Sequence, residues 1–263
     1  MNTATIIKLN QLNKDFYQQV AASFSKTRQT AWPGWEKCWQ IVDQQLRSSH
    51  STALSIFDVG CGNGRFGQFC REHLDDQVLL EYVGIDQDER LLADAESSLN
   101  DLPATNCLLL PPVDIVEQLL TQQQLLINTQ NFQVVACFGV LHHIPSQELR
   151  IQLVKHLSGY VEEGGLLLLA CWQFDRNETL LSRQRSSEEL GFTQKDLEEN
   201  DHFLTWEREL NAVRYCHLVD ETEQDALIRE SGLRLIDRFS ADGKTNDQNE
   251  YLILQKNSLT GSA

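Results

Sequence analysis

Asp58-Val59-Gly60-Cys61-Gly62-Asn63-Gly64 sets three glycines at alternate positions between two regular segments. Before it runs the short apolar stretch 54–59. After it, residues 65–74 carry Phe66, Phe69, Cys70 and Leu74 on one face of a helical period. Glycine lets the backbone turn sharply and lets a ligand approach closer than a Cβ would permit. The helix start beyond offers N–H groups without intrahelical partners. A plain strand-to-helix turn has no need of three alternating glycines, so the segment reads as strand, ligand-binding loop and helix.

The same rhythm continues. Apolar, strand-like runs at 79–85, 105–110, 132–140 and 165–172 alternate with helical stretches at 90–99, 115–125 and 146–159, and Pro111-Pro112 stops the third strand. Such alternation predicts an α/β fold, a parallel sheet with helices on both faces and a ligand at the carboxyl ends of its strands. Residues 5–47 read as helical, with Phe16, Val20 and Phe24 at four-residue spacing and a turn at Pro33-Gly34. After the fifth strand, residues 174–212 are polar and helix-favouring, with no clear buried strand. A helix at 221–231, closed by Gly232, precedes paired strands at 233–239 and 250–255 and a tail at 256–263. Without repeat or linker, the expected organisation is a helical arm, 1–50, and one domain, 51–263, with an inserted helical lid at 174–212.

Composition narrows the setting. Of 263 residues 41% are apolar and 23% charged, as in a globular chain. The longest apolar run, 166–172, is too short to span a bilayer, and the polar start lacks a signal peptide, so a cytoplasmic, non-membrane protein is expected. Seven scattered cysteines, none in C-x-x-C spacing, suggest reduced thiols and no metal site. The net charge of −16 opposes a nucleic-acid partner. It is uneven: six cations against three anions give residues 1–50 a charge of +3, so the remainder carries −19. Any basic footprint falls on the arm and on Arg176, Arg183 and Arg185.

Gly62-x-Gly64-x-x-Gly67 formally matches the dinucleotide fingerprint, but it starts late, with Gly67 well inside the helix. The D-x-G-x-G-x-G phrasing from Asp58 instead resembles the class I S-adenosylmethionine (SAM) methyltransferases. That resemblance implies a Rossmann-like, seven-stranded, mostly parallel sheet with SAM as cofactor. Asp58, Gly60, Cys61, Gly62 and Gly64 would border its methionine part, and Asp86 and Gln87 its ribose. Asp114 would meet the adenine amino group or serve only as a helix N-cap. Phe138-Gly139-Val140-Leu141-His142-His143 matches the segment lining the methyl-donor pocket; His142 and His143 would touch substrate or simply orient the loop.

Three further stretches resemble the enzymes that methylate the carboxymethyl group of the tRNA wobble uridine. They are Phe24-Ser25-Lys26-Thr27-Arg28 with Trp32-Pro33, then Ala170-Cys171-Trp172, then Arg214-Tyr215-Cys216-His217-Leu218, where Cys216 replaces the family's second aromatic. This resemblance implies Arg28 or Arg214 on the acceptor carboxylate, with Tyr215 as a further positioning residue. Trp32, Trp172, Tyr215, His142, His143 and His217 would wall the acceptor. It implies tRNA as partner and a small zinc-binding activator pairing with the third-strand edge, 107–110. The bland alternative makes the tryptophans core packing and the arginines surface ion pairs. The functional alternatives are a small-molecule carboxyl or hydroxyl methyltransferase and a SAM-binding scaffold without catalysis.

Overall fold

In a computed structural model, residues 1–27, 30–125, 130–206 and 209–258 are described, those at 21–27 and 209–211 by their backbone alone. β1 (Ala53–Val59), β2 (Leu79–Ile85), β3 (Thr105–Leu109), β4 (Phe132–Phe138) and β5 (Val161–Trp172) run parallel. β9 (Asn249–Gln255) enters antiparallel between β5 and β8 (Arg234–Ala241), giving the order β3-β2-β1-β4-β5-β9-β8. The expected seven-stranded, mostly parallel sheet is present. Its order reverses between β1 and β4, where such sheets open a crevice at their carboxyl ends.

Central strands are apolar on both sides because helices cover both faces. On one face Phe57, Val135 and Leu167 pack against α5 (Ile115–Leu120), α6 (Gln147–Tyr160) and α8 (Glu221–Ser231). On the other, Ile56, Val134 and Leu168 meet α2 (Pro33–Ser49), α3 (Arg65–His73) and α4 (Glu89–Leu99).

The two helices of the arm have different roles. Pro33 starts α2 at its first turn, where a missing N–H costs nothing. α2 then buries Trp35, Cys38, Trp39, Val42 and Leu46 in the sheet's core. Its approach is so close that a Cβ on Gly34 would lie 2.3 Å from the Tyr251 ring. α1 (Thr3–Thr27) instead lays Leu9, Phe16 and Val20 on the segment that follows β5.

That segment is not the helical lid the sequence suggests. Beyond the single-turn α7 (Glu178–Leu181) and brief 3-10 turns, it folds as a hairpin of β6 (Asp201–Trp206) and β7 (Glu209–His217). The hairpin is covered on both sides. Phe203, Val213 and Tyr215 face Leu9 of α1, while Leu204 and Cys216 face Phe174. Residues 212–217 are buried throughout. A strand covered on both faces has no polar–apolar alternation, and Arg214 and His217 inside it disguise it further.

Candidate active site

The loop after β1 wraps the end of β2. The N–H groups of Gly60 and Cys61 both donate to the Ile85 carbonyl, at 2.9 and 3.0 Å. Gly62 N–H donates to Asp86 Oδ2 at 3.0 Å and Asp88 N–H to Asp86 Oδ1 at 2.9 Å. Gly60, Gly62 and Gly64 all take left-handed φ values, of 75°, 56° and 77°. A Cβ on Gly60 would fall 2.2 Å from Val140 Cγ2, whereas one on Gly62 would meet nothing within 4 Å. The middle of the loop therefore presents bare backbone to open space.

That space is a cavity of about 550 Å³, the size of a small-molecule site. Asp58, Gly60, Cys61, Gly62, Asp86, Gln87, Asp114, Phe138, Gly139 and Val140 all line it; Gly64 does not, and instead seats the loop against Ala95. Asp58 is buried and accepts the Tyr82 hydroxyl at 2.6 Å. Burial pushes its carboxyl up to about 7, against the pull of that hydroxyl. Burial also raises Asp86, against its backbone N–H donors. Burial raises the Cys61 thiol well above its ordinary value, which leaves it a small apolar wall rather than a nucleophile.

These residues fit SAM. Asp58 gives a carboxyl group whose ionised form a neighbouring ammonium group would favour, and Arg65, at the start of α3 on the same cavity, gives a cation for an amino acid's carboxylate. Asp86 keeps lone pairs for a ribose diol. Asp114 caps α5 through Glu117 N–H, the role left open as an alternative. It also accepts Asn10 Nδ2 at 2.8 Å and pairs with Lys14, both from α1.

At the other end, Arg214 projects from β7 into the cavity and is 5% exposed. Its guanidinium lies 4.6 Å from the Trp172 ring centroid and 5.2 Å from that of Phe16, with Trp206 at 5.9 Å. Among the described residues its Nε has no hydrogen-bond acceptor and the side chain no carboxylate partner. Trp32, Trp172, His142 and His143 also line the cavity. With the proton on His143 Nδ1 facing the Tyr215 carbonyl at 3.1 Å, Nε2 accepts the Tyr17 hydroxyl at 2.8 Å.

Two expected acceptor contacts point elsewhere. Alternation along β7 turns Tyr215 away from the cavity, where its hydroxyl donates to Asp201 at 2.7 Å. His217 is locked between Asp201 (2.7 Å) and Glu223 (2.8 Å). Arg28 lies outside the described residues. Among the arginines of the 174–212 segment, Arg176 pairs with Glu250 and Arg185 with Glu189, so these two offer no open basic patch.

Sequence reading missed Asn10, Asn13, Tyr17, Arg65 and Trp206, all of which line the cavity. The first three recur at helical spacing on α1, a polar stripe indistinguishable in sequence from a solvated face.

Residues 57–167 match the family model described as a methyltransferase domain. A Saccharomyces cerevisiae protein named tRNA (carboxymethyluridine(34)-5-O)-methyltransferase is 25% identical over 62% of this chain. The chain spans about half, 48%, of that relative's length. An Encephalitozoon cuniculi protein, whose name goes no further than methyltransferase, is 25% identical over 92% of this chain and 93% of its own. Among solved structures, a SAM-dependent methyltransferase from Clostridium acetobutylicum superposes with a TM-score of 0.59. It covers 92% of this chain and 99% of its own at 12% identity, a likeness of fold.

Proposed function

We propose that this SAM-dependent methyltransferase transfers its methyl group to a carboxylate oxygen held at Arg214. One observation carries the reading: a buried guanidinium in an aromatic cage, facing the cavity, with no counter-ion among the described residues. A buried charge without a partner is costly, and an anionic acceptor removes that cost.

A carboxylic acid has an ordinary pKa of roughly 4, so at neutral pH the acceptor is already the nucleophile and needs no general base. The cofactor, when bound, supplies the electrophilic methyl. The chain has to align the oxygen with that carbon at about 3–3.5 Å and keep water out. Trp172 and Phe16 cover the ring-facing sides of Arg214 and leave its N–H edge for the acceptor. Trp32 and Trp172 offer flat walls against which a base can stack.

The named activity of the yeast relative, together with the three matching stretches, supports 5-carboxymethyluridine of tRNA as acceptor. A zinc-binding activator would then pair with β3, the terminal strand of the sheet, which exposes Leu108. The paired lid arginines and the acidic balance favour a second reading, a small carboxylic acid. Labelled SAM incubated with total small RNA, followed by nucleoside analysis, tests the first; a panel of small acids tests the second. A steep salt dependence of tRNA binding supports the RNA acceptor, and no binding with or without activator removes it. Arg214→Ala is expected to abolish transfer to either while S-adenosylhomocysteine still binds by calorimetry. Undiminished transfer would end the Arg214 assignment.

A further inference from the structure

One helix touches both ends of the cavity. Near the cofactor end, Asn10 and Lys14 of α1 hold the Asp114 carboxylate. Near the acceptor end, the same helix puts Phe16 beside the Arg214 guanidinium and joins Tyr17 to His143. Asn13 Oδ1 accepts the N–H of Tyr215 at 2.8 Å, fixing β7 directly beside Arg214. Residues 10, 13, 14 and 17 share one helical face. A smaller opening of about 280 Å³, lined by Lys14, Tyr17, Gln18, Gln87, Asp88 and Asp114 among others, lies alongside the main cavity. Tyr17, Gln87 and Asp114 border both spaces, so α1 crosses the cofactor cleft as a strap with an opening on each side.

We propose that Asn10, Lys14 and Asn13 are positioning residues through which α1 couples the two ends, so that an occupied cofactor cleft fixes Arg214 for the acceptor. This rests on the reading of Arg214 above. A ligand in the cleft meets Asn10, Asn13 and Tyr17 of α1, which line it, and through them favours the state in which the helix is seated. Only the seated helix gives Tyr215 N–H its acceptor and Arg214 its Phe16 cover. Cofactor and acceptor then bind cooperatively, each raising the affinity of the other. Couplings of this kind amount to roughly 5–150-fold in affinity, equal in both directions.

Hydrogen exchange with saturating S-adenosylhomocysteine as probe tests the coupling on the full chain. The wild type is expected to gain protection at the glycine loop, along residues 3–20 and along residues 212–217. In Asn10→Ala/Lys14→Ala, with the probe raised until it again saturates the protein, the loop is protected but the gain at 212–217 disappears; Asn10→Ala/Lys14→Arg, which keeps the ion pair, restores that gain. A merely structural role would raise exchange equally with and without the probe. Protection confined to the loop in the wild type overturns the coupling, as does an unchanged gain at 212–217 in the double variant. Absence of probe binding to the wild type overturns the cofactor assignment itself, a different failure.

Discussion

Gly60 and Gly62 share a left-handed backbone but differ in what surrounds them. Strain alone penalises an L-residue at Gly62, by roughly 1–2 kcal/mol. At Gly60 the added Cβ also collides with Val140, 2.2 Å away. Gly60→Ala is therefore expected to lower stability in urea by clearly more than Gly62→Ala, and Val140→Ala in the same chain to recover part of the loss. Equal effects for the two alanines would separate Val140 from the loop's geometry. Asp58 adds a pH dependence. Its folded value near 7 stands above the ordinary 3.8, so the native state holds the proton more tightly than the unfolded chain. The contribution is complete below about 4 and is lost as pH rises to about 7. Urea titrations of the ligand-free protein should show stability falling across that window, and Asp58→Asn should flatten the slope.

At the scale of elements, the β6–β7 hairpin is tied to the body by buried charge. Arg150, fully buried on α6, donates to Glu223 of α8 at 2.6 Å and to Glu198, just before β6, at 2.7 Å. His217 closes the network between Asp201 and Glu223. Burial and Arg150 oppose protonation of His217, yet its two carboxylate partners raise it above its ordinary value. Burial likewise opposes ionisation of Glu223, but His217 and Arg150 hold it below its usual range. Such an anchor fixes the strand carrying Arg214 without touching the cavity. Arg150→Met takes the guanidinium from Glu198 and Glu223, leaving His217 as the cation nearest to both, and is expected to cost about 3–5 kcal/mol by chemical denaturation. A cost under 1 kcal/mol would mean the carboxylates find other partners.

For the whole molecule, the charge of −16 opposes compaction by self-repulsion. Raising NaCl from about 20 to about 150 mM shortens the screening length toward 8 Å and should raise the melting temperature. A fall would show that local ion pairs outweigh the overall repulsion. The described helices include none long and apolar enough to cross a membrane.

The sheet, the glycine loop and part of the cavity lining were legible from residues 54–59, 60–64 and 86 because each depends on neighbours close in the chain. A glycine reports its own backbone, and an apolar run reports its own burial. The hairpin was not legible, since strands covered on both faces lose the alternation that marks a strand. Arg214 could be named from sequence, but not that it has no carboxylate partner among the described residues, and Tyr215 and His217 beside it proved to face the opposite side. Lys14 and Asp114, a hundred residues apart, meet only because α1 lies across the sheet's carboxyl edge. Local pattern determined the elements and the glycine loop that lines the cavity. Packing between distant elements decided which charges are paired, that Arg214 is buried at the cavity without a carboxylate partner among the described residues, and that α1 lies along the cleft.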